Sequence, residues 1–443
     1  MKVLLLTHGT RGDVQPFVTL AEALTAAGHD VVLAVPAASA PLASGTKAEV
    51  VPVDDGPNRM LEDPALRRAL DTNYRGFRGK LLAVRVMREI NRATTAVLAD
   101  LATAAEGGAD VVVHNISVPG HHVAERLGVP AVTVCLQPTW VPTSAFTNPV
   151  LPWRLPRFLN RASYLASSAG SLATRKAVLR WRNDRLRLPG SRLNPLRGAP
   201  AVLQAFSPLL LPAEPDYPST VHTTGFWLSG TPAAWEPPRH LADFLAAGPA
   251  VYIGFGSMAG SDPEKTSAIV AESIRLSGVR AIVAGGWGGL REEKLGDAVC
   301  FVDHAPHDWL LPRTTVTVHH GGSGTTAAAL AAGRPQVVCP FVADQPFHAR
   351  RVHELGVAPP PQPQRAVTAT SLASALTDAI SDTEMAERAR LLGRQIRSEN
   401  GTSAAVRIIE GVAKRGLGSR SDRRSPTARG NSPDDPSTAA DRR

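Results

Sequence analysis

Cysteine is scarce in this chain of 443 residues: Cys135, Cys300 and Cys339 stand far apart, are odd in number and form no CxxC pair. That excludes a disulfide framework and a zinc knuckle, and it suits a reducing cytoplasm. Long apolar runs are also missing. Val3 to Leu6 are the only apolar residues between Lys2 and the first polar stretch, and no later segment reaches the run of about eighteen that a membrane span needs. Two phosphate-binding signatures are absent as well. There is no GxxxxGK[ST], and the first glycine-bearing turn reads His8-Gly9-Thr10-Arg11-Gly12-Asp13 where a dinucleotide fold would have GxGxxG. Kinase and dehydrogenase readings weaken together.

Net charge is +9, but its placement matters more than its size. Residues 414–443 carry eight basic and four acidic side chains, and residues 151–198 carry eleven basic side chains against Asp184 alone. No helix-turn-helix, RRM or zinc-finger pattern accompanies either stretch, so a nucleic-acid partner is not expected. The basic, Leu-, Tyr- and Trp-bearing stretch Arg157 to Leu188 reads as a solvated helix face, with weak peripheral contact to an anionic membrane as the competing hypothesis.

With 43% hydrophobic residues the chain can bury sizeable cores. Val3 to Leu6 reads as a buried strand, followed by a turn, a helix from about Val14 to Ala27 ended by Gly28, and a strand at Val31 to Val35. Val111 to Val113, a helix closed by Gly128, and Ala131 to Cys135 repeat the alternation of a doubly wound sheet. Proline-rich sequence from Pro208 to Pro238 separates this half from a second alternation. Its strands are expected at Ala250 to Phe255, Ala281 to Ala284, Val316 to Val318 and Gln336 to Cys339. The division expected is an N-terminal domain over 1–212, a linker over 213–238, a C-terminal domain over 239–414 and a disordered tail over 415–443, where almost nothing apolar remains.

The strongest chemical signal is His319-His320-Gly321-Gly322-Ser323-Gly324-Thr325-Thr326, set between a strand and the alanine-rich helix that begins near Ala327. Bare backbone N–H groups, the positive end of a helix, hydroxyls and an imidazole suit a diphosphate, although a capped glycine turn explains the spacing too. Pro340-Phe341-Val342-Ala343-Asp344-Gln345-Pro346 also follows a strand, placing a carboxylate and a carboxamide where sugar hydroxyls could be held; a plain polar turn is the alternative. Gly254-Phe255-Gly256-Ser257-Met258 opens at the same edge, with Ser257 in reach of phosphates or simply in a tight turn.

Taken together, and over about residues 1 to 412, these motifs resemble the family 1 glycosyltransferases. The branch they resemble holds sterol glucosyltransferases and the enzymes that glycosylate glycopeptide and polyketide antibiotics. Gly9-Thr10-Arg11-Gly12-Asp13-Val14-Gln15-Pro16 resembles that branch's GSRGDVxP signature, and Ala305-Pro306-His307-Asp308-Trp309-Leu310 its APHDWLF segment. The resemblance implies an α/β fold of the GT-B type, two Rossmann-like domains facing across a cleft. It implies a nucleotide-sugar donor held by Thr10, Arg11, Gly12, Ser257, Ala305, His307, His320, Gly322, Ser323, Gly324, Thr325, Asp344 and Gln345. Asp13 stands where most of the family has its catalytic histidine and becomes the candidate general base, though an Asp ahead of an apolar helix is also what a helix cap looks like.

One departure is Ala328, near the place where many relatives carry a ribose-binding glutamate; the donor nucleotide, UDP or deoxythymidine diphosphate, stays open. No DxD occurs in the donor half, so no cofactor or metal is expected. The reaction implied is single displacement with inversion onto a hydroxyl of a hydrophobic small-molecule acceptor. Acceptor identity is placed in residues 55–90 and 140–200, around Trp140, Phe146, Trp153, Phe158 and Tyr164, aromatics that equally read as domain core. A UDP-sugar 2-epimerase and a non-catalytic helper of a partner transferase remain the rival readings.

Overall fold

The structure, a computed structural model, describes residues 1–56, 58–59, 92–151, 153–169, 171–190, 193–232, 234–255, 263–284 and 296–424. Two wholly parallel sheets carry the chain. The first has seven strands in the order β3-β2-β1-β4-β5-β6-β7: β1 Lys2–Leu6, β2 Asp30–Pro36, β3 Glu49–Val53, β4 Val111–Asn115, β5 Ala131–Cys135, β6 Ala201–Gln204 and β7 Val221–Thr223. Val3 sits opposite both Val31 and Val111. The near-continuous apolar run of β1 is what a strand covered on both faces requires.

The second sheet has five strands ordered β10-β9-β8-β11-β12: β8 Val251–Gly254, β9 Ala281–Ala284, β10 Val299–Val302, β11 Thr317–His319 and β12 Gln336–Val338. Strand order reverses beside β1 in one sheet and beside β8 in the other, and such switch points open a crevice at the carboxyl ends of the strands.

Helices cover the faces. In the first half these are α1 Arg11–Ala26, α2 Gly120–Leu127, α3 Arg157–Ser163 and α4 Ser171–Asp184; in the second, α5 Pro263–Ser277, α6 Ser323–Ala332 and α7 Gln345–Glu354; α8 Gly401–Arg424 ends the described chain. Phe17, Leu20 and Leu24 of α1 fill one face of the first sheet, and Trp181 of α4 packs with Leu98 and Leu101 on the other.

Three boundaries differ from the sequence reading. The residues expected to form a linker include β7, which pairs with β6 and closes the edge of the first sheet. A three-residue strand between prolines is too short to show a period. Ala405, Val406, Ile409, Val412 and Ala413 of α8 pack into the core of the first sheet beside α1, so the chain's last described helix returns to the first half. The helix also continues to Arg424, ten residues into the segment expected to be without structure, because extending a formed helix costs little once its nucleus exists. Residues 425–443 of the expected tail lie outside the described residues.

The halves are docked through their own side chains. Arg351 of α7 donates to the carbonyls of Leu210 and Leu211, each at 3.0 Å.

Candidate functional site

The turn after β1 lies at the first sheet's switch point. Helix α1 begins at Arg11, three residues earlier than periodicity suggested, because Thr10 and Asp13 close a capping box: Asp13 Oδ2 accepts the Thr10 backbone N–H at 3.0 Å and its hydroxyl at 3.2 Å. Asp13 is thus the third helical residue, and Pro16 falls in the second turn. Thr7 fixes the Asp13 backbone from below by donating to its carbonyl at 2.9 Å. Gly9 has φ +134°, and a Cβ there would run into the Asp13 carboxylate, 2.7 Å from its Cγ. Both observations demand glycine.

Burial lifts the Asp13 pKa from 3.8 to about 6; the bonds from Thr10 oppose the rise and the charge of Asp344 adds to it. Asp344 belongs to the other half, so the two carboxylates sense one another across the cleft. Arg11 spans the same gap: its guanidinium meets the His304 ring at 3.1 Å.

On the opposite wall, the loop after β11 is built around Gly321. Its N–H donates to Nδ1 of His319 at 3.0 Å, which leaves the His319 proton on Nε2, donated to Gln336 Oε1 at 2.8 Å. The Gly321 carbonyl accepts a hydrogen bond from Nδ1 of His348, on α7, at 2.8 Å. Both histidines are buried. Across a trans peptide the carbonyl and the next N–H point in opposite directions, so the His348 bond turns the N–H of Gly322 the other way. Gly322 is the N-cap of α6, and Thr326 is the first residue bonded back into the helix, to the Gly322 carbonyl at 2.9 Å. The N–H groups of Ser323, Gly324 and Thr325 are therefore the orphan donors of a helix start, with the positive end of its dipole behind them.

His320 lies against this loop. A Cβ on Gly322 would strike its ring, and its Nδ1 is buried without a partner. Burial drives the His320 pKa down to about 4, with Asp344 opposing and His348 reinforcing the shift. The ring is neutral at ordinary pH and offers a hydrogen bond rather than a charge.

Asp344 caps α7 without a side-chain cap bond, just after Ala343 in the left-handed region at φ +57°. Strain of that kind collects where a loop is held in a required shape. Gln345 is turned inward, its Oε1 accepting the N–H groups of Phe341 at 2.8 Å and Val342 at 3.2 Å, so its carboxamide shapes the turn and has only its NH2 left to offer a ligand. Ser323 spends its hydroxyl on the Leu136 carbonyl of the first half at 3.2 Å. His307 stacks edge-on to Tyr252, whose hydroxyl is 3.3 Å from its Nε2, beside the buried Ala305; burial, then Arg11 and His304, push the His307 pKa down to about 4.

The structure thus gathers Thr10, Arg11, Gly12, Asp13, His307, His320, Gly322, Ser323, Gly324, Thr325 and Asp344 along facing edges of two sheets. Ser257 and most of residues 55–90 lie outside the described residues. His348 and His304 went unread in the sequence: His348 stands one helical turn from Asp344, a spacing that could have revealed it, whereas His304 adjoins a motif whose reading began one residue later. Among the aromatics offered for the acceptor, Phe146 and Tyr164 are core, Trp140 is half-buried, and Trp153 and Phe158 are exposed. Among the described residues no group of three or more His, Cys, Asp or Glu is placed to hold a metal ion, and no helix is long and apolar enough to cross a membrane.

Residues 3–146 match the family described as glycosyltransferase family 28 N-terminal domain, and residues 288–410 the erythromycin biosynthesis protein CIII-like C-terminal domain. The chain is similar to the sterol 3-beta-glucosyltransferase of Neurospora crassa, 32% identical over 440 residues, covering 92% of this chain and 27% of that protein. It is equally similar to the sterol 3-beta-glucosyltransferase UGT80A2 of Arabidopsis thaliana, 32% identical over 426 residues, covering 92% of this chain and 65% of that protein. The chain therefore spans between about a quarter and just under two thirds of these curated relatives. Among solved structures, the glycotransferase of kitacinnamycin is 21% identical with a TM-score of 0.67, covering 93% of this chain and 99% of that one. The glycosyltransferase VinC in complex with DTDP is 20% identical with a TM-score of 0.65, covering 94% of this chain and 100% of that one. Their shared fold is GT-B, two parallel-sheet α/β domains.

Proposed function

The chain belongs to the family 1 glycosyltransferases, in the branch that holds the sterol and antibiotic glycosyltransferases, and from that membership we propose that it moves a hexose from a nucleotide diphosphate sugar to a hydroxyl of a lipophilic acceptor. The observation that carries the reading is that the turn holding Asp13 and the helix start of α6 are brought to one cleft, where the Ser323 hydroxyl meets the Leu136 carbonyl at 3.2 Å and Arg11 meets His304 at 3.1 Å: a buried carboxyl on one wall and an anion-ready helix start on the other. General bases work best with a pKa near the operating pH.

In this proposal the acceptor hydroxyl gives its proton to Asp13 as its oxygen attacks the anomeric carbon. The bond from that carbon to the diphosphate oxygen breaks on the opposite side, and configuration inverts. The N–H groups at the start of α6 and the neutral His320 receive the leaving diphosphate, a preorganised electrostatic role that calls for no divalent metal or other cofactor. Asp344 and Gln345 hold the sugar; Ala305 and His307 line the base, with Thr10, Arg11, Gly12 and Ser257 completing the donor contacts. Names among the relatives favour a sterol-like or natural-product acceptor, and UDP and deoxythymidine diphosphate donors are both kept. The place of action proposed is the cytoplasm.

The test is a donor panel: purified protein, no divalent metal, UDP-glucose or dTDP-glucose, and a mixed pool of sterol and polyphenolic acceptors, read by mass. A hexose adduct that disappears in His320→Ala supports the reading and identifies the nucleotide. Donor turnover without any acceptor would point to an epimerase, and nucleotide binding with neither outcome would point to a helper protein.

A further inference from the structure

Gln336 is a carboxamide at a core position. It opens β12, is fully buried and is followed by Val337 and Val338. Val337 packs with Val318 of β11 on one face of the second sheet, which puts Gln336 on the other face with Thr317 and His319. The Gln336 oxygen accepts the Nε2–H of His319 at 2.8 Å. Its NH2 group, and the hydroxyl of Thr317 opposite it in register, are buried with no hydrogen-bond partner among the described residues. An unpaired amide donor in the core costs free energy that an apolar residue of the same size would not. What this residue supplies is therefore its oxygen.

The far side of the His319 ring shows what the oxygen is for. A backbone N–H can only donate and a carbonyl can only accept, so the two histidines that hold Gly321 are opposite tautomers. His319 takes the Gly321 N–H on a bare Nδ1 at 3.0 Å and carries its proton on Nε2, whereas His348 carries its proton on Nδ1 and gives it to the Gly321 carbonyl at 2.8 Å. Each ring fixes one of the two peptide planes beside Gly321. Nothing but glycine fits between them: φ is +85°, and a Cβ would come within 2.9 Å of Val338 Cγ1 and 3.2 Å of the Gln345 carbonyl. The next residue, Gly322, is the N-cap of α6. Burial keeps the His319 ring neutral, with its pKa pushed down to about 3, so the ring has a choice of tautomer rather than of charge. A donor in place of the Gln336 oxygen would move the proton to Nδ1, against the Gly321 N–H.

We propose, resting on the reading of the α6 start as the diphosphate site, that Gln336 is a positioning residue: its oxygen selects the Nε2–H tautomer of His319 and thereby sets the Gly321 peptide that leads into the α6 N–H groups. Gln336 itself touches no substrate. It acts through two hydrogen bonds in series, from a strand position behind the loop.

Two measurements on the full chain test this. Hydrogen exchange at the Gly321 amide, with no nucleotide present, reads the relay, and calorimetric titration with UDP and dTDP reads what the loop holds. Gln336→Met keeps the volume and removes the oxygen. Its Gly321 amide should exchange roughly tenfold faster and its nucleotide affinity should fall by about tenfold, the effect of one buried donor left unpaired. Gln336→Glu keeps an oxygen but adds a charge that favours a second proton on the ring, at Nδ1. Its affinity relative to the unaltered protein should be poor near about pH 6 and recover toward about pH 9 as that proton leaves, whereas a packing defect gives a ratio that does not change with pH. Thr317→Val, at the buried neighbour whose hydroxyl bonds to nothing, should leave both readouts as they are. Equal Gly321 exchange in the unaltered protein and Gln336→Met, a pH-independent ratio for Gln336→Glu, or the same losses in Thr317→Val would overturn the proposal. If the unaltered protein binds neither nucleotide while Gln336→Met still frees the Gly321 amide, the relay is supported and the diphosphate reading fails.

Discussion

Asp13 accepts both the backbone N–H and the hydroxyl of Thr10, at 3.0 and 3.2 Å, through the same carboxylate oxygen, Oδ2. One oxygen thereby fixes the helix start while Oδ1 remains for a second partner. Capping and proton acceptance, which compete as readings of the sequence, are compatible in this geometry.

Loss of the carboxylate should therefore separate catalysis from folding. Asp13→Asn keeps an oxygen for Thr10 and removes a charge that burial disfavours, so thermal stability should hold or rise while kcat/KM falls by about a hundred- to ten-thousandfold. In the unaltered protein the acceptor-transfer rate should climb as pH rises through about 6, where Asp13 ionises. Near-full activity of Asp13→Asn would remove Asp13 from the mechanism.

Gly9 is held by two constraints at once, its φ of +134° and its closeness to Asp13. Gly9→Ala is expected to cost roughly 1–3 kcal/mol of stability and to displace the Asp13 carboxylate. A lowered melting temperature accompanied by lost activity is the expected pair; unchanged values for both would show that the turn relaxes freely.

His348 holds the loop before α6 through the Gly321 carbonyl. Replacing it with Ala frees the Gly321 carbonyl and should weaken nucleotide diphosphate binding by roughly ten- to a hundredfold. His348→Asn, whose NH2 can still donate, should recover part of it. Isothermal titration with UDP and dTDP reads this without turnover, and identical affinities in all three proteins would confine His348 to packing.

Acid should destabilise the protein before any carboxylate pairing is lost. His114, His122 and His319 have pKa values pushed down to about 3, and His307 and His320 to about 4, against 6.5 for a free imidazole, chiefly by burial. The unfolded chain takes up these protons first, so this stability is complete above about pH 6.5 and is lost as pH falls toward 4. Asp13, Glu22 and Glu399 work in the opposite sense, since burial raises their folded pKa values, but they are three groups against six once His304, also pushed down by burial, is counted. Melting temperatures measured downward from about pH 7 should fall steeply; a flat profile would mean these rings are charged or solvated in the fold.

Much of the fold was legible because buried parallel strands announce themselves. Ala131–Cys135 and Ala281–Ala284 fall where their apolar runs end, and glycines 28 and 128 follow their helices as expected. The loop before α6 was legible as a set of bare N–H groups because glycine-rich sequence between a strand and a helix start supplies them. The edge strand β7 and the return of α8 were hidden, because neither three residues between prolines nor an alanine-rich helix states which sheet it covers.

By itself the sequence determined the two α/β halves, the residue types at each strand end and the placing of Asp13 and His320 in turns, since local periodicity and turn chemistry act within a few residues. Only the tertiary structure decided that Arg11 meets His304 across the cleft, that His348 turns the Gly321 peptide, that Gln345 points inward and that α3 shows its apolar face to solvent. Those relations join residues tens to hundreds of positions apart, and they follow from how the two sheets pack, which no local pattern encodes.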